Sequence, residues 1–172
     1  MDACVSPAYV RTMAAYNAEM NRRLYGAAAR LDDAERRRDR GAFWGSIHGT
    51  LNHLLWGDQL WMSRFDGWER PAKPQGESGG LIEDFAALQT ARLAADARIS
   101  AWAAGIDDRW LSQSQTWFSG AAGREATAPR DFLMMHFFNH QAHHRGQAHA
   151  LITAAGERTE DTDLMMLVRP QR

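Results

Sequence analysis

The chain is 172 residues long, with 45% hydrophobic and 24% charged residues, enough for one compact domain with a full core and too apolar for a disordered chain. Its formal net charge of −1 supplies no field for gripping phosphates, so no nucleic-acid partner is expected. No run approaches the roughly 20 apolar residues that cross a bilayer, and Met1-Asp2-Ala3-Cys4 lacks the basic and apolar regions of a signal peptide, which predicts a cytoplasmic protein with no membrane partner.

The first predicted helix runs from about Pro7 to Leu31, where Tyr9, Met13, Tyr16, Met20, Leu24 and Leu31 recur at mostly three- and four-residue spacing. Asp32, Asp33 and Glu35 are interleaved with Arg36, Arg37, Arg38, Asp39 and Arg40, the pattern of a solvated connection more than of a phosphate contact. A second helix is predicted from Phe43 to Phe65, ended by Asp66-Gly67, Pro71 and Pro74. Two prolines and three glycines between Pro71 and Gly80 predict a surface loop. A third helix is read from Leu81 to Ala104, stopped by Gly105. Gln115 to Phe118 and Arg124 to Thr127 flank a glycine-containing turn and predict a small hairpin. A fourth helix then spans Arg130 to Ala155, closed by Gly156. Four long helices with no strand run able to form a sheet core predict an all-α, antiparallel four-helix bundle in one domain, with the hairpin before the last helix.

The fourth helix carries the chemistry. His136, His140, His143 and His144 place four of the seven histidines within nine residues. At about 100° per residue, His144 lies near 40° from His140, on the stripe of Leu133, Phe137 and Leu151, while His136 and His143 fall on its flank and His149 faces outward. An i, i+4 pair offers two imidazoles to one ion, so His140 and His144 rank first as metal ligands. The competing expectation is that these are boundary histidines satisfied by carbonyls. A third ligand must come from elsewhere, and on the second helix both His48 and His53 lie at the margin of the stripe set by Phe43, Ile47, Leu51, Leu54, Trp61 and Phe65; periodicity does not choose between them.

Asp58 falls mid-stripe, where a carboxylate needs a donor. It is a candidate orienter of a ligand histidine, or the partner of a Trp or Arg at a bundle seam. The seven tryptophans suit core and dimer packing more than a ligand pocket, and Trp56, opposite the stripe centre, suggests a partner interface. There is no Gly-rich phosphate loop, no G-x-S-x-G elbow, no C-x-x-C and no H-E-x-x-H, since Gln141 follows His140. Nucleotide hydrolysis, serine-hydrolase chemistry, dithiol redox and metalloprotease activity therefore lack support.

The segments Ser46-Ile47-His48-Gly49-Thr50-Leu51-Asn52-His53-Leu54-Leu55-Trp56-Gly57-Asp58 and Phe138-Asn139-His140-Gln141-Ala142-His143-His144-Arg145-Gly146-Gln147 resemble the two signatures of the DinB family. This is the DinB/YfiT-like group, distinct from the DNA polymerase of the same name. Tyr16-Asn17, Asn21, Trp61 to Phe65 and the hairpin extend the resemblance along nearly the whole chain. It implies the family's bundle topology, a homodimer, and a divalent metal such as zinc or nickel held by His53, His140 and His144, with open positions for water or substrate. Relatives such as mycothiol-dependent maleylpyruvate isomerase and bacillithiol S-transferases imply a metal-dependent transferase or isomerase that acts on a low-molecular-weight thiol and a small-molecule substrate. The alternative is a non-catalytic metal-binding stress-response or dimeric scaffold protein, in which His143 or Asp58 would close the metal shell.

Overall fold

The computed structural model describes residues 4–120 and 122–167. Four long helices form the body: α1 (Pro7–Ala29), α3 (Ile47–Phe65), α4 (Phe85–Ala104) and α6 (Arg130–Ala154). Between them lie two short helices, α2 (Asp33–Arg37) and α5 (Asp108–Leu111), a 3-10 turn at Gln75–Gly80, and an antiparallel hairpin of β1 (Ser114–Ser119) and β2 (Arg124–Pro129). Among the described residues, no helix is long and apolar enough to cross a membrane.

Caps set the helix starts. Pro7 occupies the first turn of α1 behind Ser6, whose Oγ accepts from the Tyr9 N–H. Two starts fall later than the apolar pattern predicts. Ser46 caps α3 by accepting from the Gly49 N–H, after Gly45 has turned the chain at φ 72°, so Phe43 lies outside the helix, 80% exposed, and not on its apolar stripe. Asp84 likewise caps α4 by accepting from Ala87, which excludes Leu81 to Glu83. In both cases a side-chain acceptor for orphan N–H groups outweighs a few more apolar residues. The acidic and basic residues after α1 form α2, where Arg37 pairs with Asp33 and Arg38 with Glu35 at the surface.

Side-chain pairs fix how the helices run. Along α3 and α6, His53 meets His144, Asp58 meets Gln141 and Trp61 meets His136, so these helices are antiparallel. Tyr25–Phe85 and Asn21–Asp96 make α1 and α4 antiparallel too. Numbering rises together along α1 and α6, at Tyr9–Phe138 and Asn17–Arg145, and along α3 and α4, at His48–Phe85, Asp58–Arg92 and Phe65–Trp102. In chain order the bundle therefore runs up, down, down, up. Each long helix has one antiparallel and one parallel neighbour among these pairs, a layout that needs a crossover connection. Because α3 and α4 are sequential and parallel, the chain from Asp66 to Asp84 must travel back along α3, about 28 Å for its 19 residues.

The core contains Leu24, Leu51, Leu55, Leu88, Phe137 and Ile152, all buried. One polar layer crosses it. The Arg92 guanidinium, 1% exposed, lies 2.5 Å from Asp58 Oδ2 and 2.7 Å from Asp96 Oδ1. Asn21 donates to Asp96 at 2.9 Å, and the Gln141 amide donates to Asp58 Oδ1 at 2.7 Å. All four long helices contribute. Removing one member of a buried ion cluster strands its partners, so Arg92→Met should lower unfolding stability by about 3–5 kcal/mol in urea titrations followed by circular dichroism; a loss under about 1 kcal/mol would show that the layer is dispensable.

Candidate metal centre

His53 on α3 and His140 and His144 on α6 each turn one ring nitrogen to a common point, all three atoms lying within 4.8 Å of one another. His53 and His144 are buried and His140 half-buried. The i, i+4 pair is thus completed by His53. His48 turns away, its Nε2 hydrogen-bonded to the Ile82 carbonyl at 3.0 Å.

Each ring is held by its surroundings. His53 Nδ1 hydrogen-bonds Ser78 Oγ at 2.8 Å, and His144 Nδ1 hydrogen-bonds Gln147 Oε1 at 2.8 Å. The Gln147 amide oxygen can only accept, so His144 carries its proton on Nδ1 and leaves the Nε2 lone pair for a metal; the Ser78 hydroxyl does the same for His53 when it accepts. His140 Nδ1, by contrast, is buried with no hydrogen-bond partner. That ring lies against Gly57 of α3: a Cβ there would stand 2.7 Å from His140 Cε1. Glycine is what lets the imidazole approach the neighbouring helix so closely. Trp44 stacks on His53 at 4.0 Å between centroids, and Trp56 stacks at 5.7 Å. Gly49 permits the Trp44 placement, since its own Cβ would lie 2.3 Å from the Trp44 carbonyl oxygen.

Ser78 corrects the expected surface loop at Pro71–Gly80. The crossover forms a 3-10 turn against α3, and Ser78 is fully buried. Trp56 is corrected as well, being 6% exposed and donating its indole N–H to the Lys73 carbonyl at 2.8 Å, so it faces the crossover and not a partner. Asp58 takes the seam role, serving Arg92 and Gln141. His143 is exposed and is not one of the converging rings: it lies edge-on to His144 at 4.9 Å between centroids, with its Nε2 3.2 Å from Gln147 Nε2; His136 packs edge-on against Trp61. Ser78, Gln147, Gly57 and Trp44 escape a search for ligand residue types, since none is a ligand. Only the G-x-x-x-x-x-x-x-G spacing of Gly49 and Gly57 on one helix could have drawn attention to two of the contacts.

Burial holds the rings neutral, the form that binds metal. Desolvation, with the neighbouring histidines, pulls His53 down to about 3 and His140 to about 4. His144 is lowered by desolvation too, against the pull of its Gln147 hydrogen bond. Three neutral imidazoles converge and a buried ring nitrogen has no partner, so the donor set fits a divalent ion of borderline softness.

Fold and site together define an all-α helical protein with a trihistidine cluster, able to hold a metal ion, between two antiparallel helices. The sequence profile of the DinB family matches residues 5–171, and the chain belongs to that family. No curated protein and no solved structure matches it significantly.

Two outcomes follow from this geometry. Gly57→Ala should destabilise the protein by about 1–3 kcal/mol through overpacking against His140, read as a lower thermal midpoint with unchanged helix content. The pH dependence has a definite sign. A histidine whose folded pKa is depressed binds its proton in the unfolded chain first, so its contribution is intact above about 6.5 and is lost as pH falls towards the folded values. Metal-free protein should therefore lose stability progressively from pH 6.5 to about pH 4, whereas a flat profile across that range would contradict the burial of these rings.

Proposed function

We propose that this chain is a divalent-metal-dependent enzyme, with zinc or nickel ligated by His53, His140 and His144, acting on a low-molecular-weight thiol and a small-molecule substrate in S-transfer or isomerisation. The observation that carries this reading is the donor set itself, three imidazoles with no fourth ligand-type side chain in the group among the described residues. The two residues that could have closed the shell are otherwise occupied: Asp58 by Arg92 and Gln141, and His143 by Gln147. A three-ligand protein shell with open positions is the mark of catalytic rather than structural zinc sites. A bound ion would supply Lewis acidity, lowering the pKa of a thiol or water in an open position.

The protein's own residues supply orientation and shielding. Ser78 and Gln147 hold two rings in orientation, the Gln147 amide oxygen placing the His144 proton on Nδ1; Gly57 sets the third ring against α3, and Trp44 and Trp56 cover the flanks of His53. Thiol dependence is supported by family membership and by the affinity of such an ion for thiolate. The lack of a closing ligand is what favours catalysis over a metal-stabilised scaffold.

Elemental analysis of the purified protein should find about one divalent ion per chain, lost in His53→Ala, His140→Ala and His144→Ala. Ser78→Ala should retain the ion with roughly 10- to 100-fold weaker affinity. Calorimetric titration of metal-loaded protein with glutathione, mycothiol and bacillithiol tests the thiol; metal-loaded protein that binds none of them would leave the scaffold reading in its place.

A further inference from the structure

Arg64 is a cation that meets no anion among the described residues. It lies on α3 eleven residues after His53, on nearly the same face of the helix, and seven residues after Gly57, where His140 meets α3; that is two turns, about 10 Å along the axis. Its Cζ sits over the Trp61 ring at 4.3 Å and 5.4 Å from the Trp117 ring of β1. Trp61 in turn meets His136 at 5.0 Å, and His136 lies 6.1 Å from His140 between ring centroids. A line of contacts thus runs along the α3–α6 seam from the trihistidine cluster to this guanidinium.

Arg64 Nε is buried with no hydrogen-bond partner, and among the described residues no carboxylate lies within ion-pairing distance of the side chain. Arg36, Arg40 and Arg92 also bury an unpartnered nitrogen, yet each of those reaches an Asp or Glu, namely Asp33, Glu35 and Asp58. The setting costs Arg64 something. Desolvation and then the like charge of Arg70 pull its pKa down to about 10. Cation–π contact with two indoles offsets part of that cost, but leaves Nε without an acceptor, while the terminal nitrogens, which are not among the buried unpartnered atoms, stay open to one.

We infer that Arg64, seated on the corner made by Trp61 and Trp117, is the binding site for a carboxylate, placed along the seam from the trihistidine cluster where a small molecule held there would present it. This rests on the proposed metal-site function for its role, though not for its existence. The two indoles meet each other edge to face, 5.7 Å between centroids at 64°, so the guanidinium rests on an aromatic corner: its planar end suits a monoanion, pairing with both carboxylate oxygens through the terminal nitrogens while the ligand's apolar part lies against the half-buried Trp117. The substrate class is accordingly an organic acid, with the reacting group at one end and the carboxylate about two to three helical turns away.

Benzoate is the test ligand, with benzamide as its uncharged counterpart, titrated into the full chain with and without zinc and followed through the indole N–H resonances of Trp61 and Trp117. Benzoate should shift both signals and benzamide neither. Arg64→Met should weaken benzoate at least tenfold, and Arg64→Lys should weaken it less, since it keeps the charge but loses the fork. The thermal midpoint of ligand-free Arg64→Met should stay level or rise, because the variant removes a desolvated, unpaired charge. A merely structural arginine would instead lower the midpoint and leave benzoate affinity unchanged, and that result overturns the assignment, as does benzoate binding equally to Arg64→Met. The two readings fail separately. Zinc binding without benzoate binding removes the carboxylate site alone, and Arg64-dependent benzoate binding in a chain that takes up no metal removes the metal function alone.

Discussion

The Arg92 guanidinium between Asp58 and Asp96 is the contact on which the register of the bundle depends. Burial pushes the Asp96 carboxyl up, against the pull of Arg92, so the layer is not a simple gain in stability. Its leverage lies in exclusivity. With Asn21 from α1 and Gln141 from α6 completing it, any slide of one helix past another leaves a desolvated polar group unmet, whereas apolar neighbours would tolerate many offsets. Asp58 and Gln141 each stand next to a residue of the candidate centre, Gly57 and His140. Locking the polar pair therefore locks the glycine opposite the imidazole and brings His53 level with His144. The ordering of the site is inherited from a charge cluster one residue away.

The up, down, down, up order has a second consequence. Parallel neighbours cannot be joined by a tight turn, so the chain after α3 must travel back over its own helix before α4 begins. That return stretch carries Ser78 to His53 and the Lys73 carbonyl to Trp56, and the Ile82 carbonyl to His48. Two histidines of α3 are thereby sorted by one connection: Ser78 orients His53 into the cluster, while Ile82 engages His48 outside it. A simple up-down bundle with short loops would lack the segment that makes this distinction.

Much of this architecture was legible in the sequence because it rests on local periodicity. The four long helices, the hairpin and the α6 pair His140 and His144 follow from spacing, and the family signatures pointed to His53 where periodicity left it level with His48. What escaped the sequence depends on contacts between distant segments. Glycines and prolines at Pro71–Gly80 announce an irregular path but not the surface against which it packs, so Ser78 looked solvent-facing. Trp56 sits opposite the apolar stripe of its own helix, which reads as exposed until the crossover covers that side. Phe43 belongs to the apolar rhythm of α3, yet Gly45 and the Ser46 cap end the helix before reaching it. Asp58 showed the need for a donor; only the tertiary fold shows that the donors are Arg92 and Gln141 rather than a histidine.

The arginines of α3 and α4 show how the same chain treats buried charge in two ways. Arg92 sits among acids drawn from two helices and belongs to the folding machinery. Arg64 is half-buried against tryptophans, with its Nε unpartnered. A fold that can place two carboxylates around one arginine is not short of means to neutralise another, and Glu19, Glu35 and Glu157 all pair with surface arginines elsewhere. Leaving Arg64 without an acid costs stability in the ligand-free protein, in the way that functional sites commonly do. A cation held in that state, along the seam that leads to three neutral histidines, is arranged for an anion that arrives from solution.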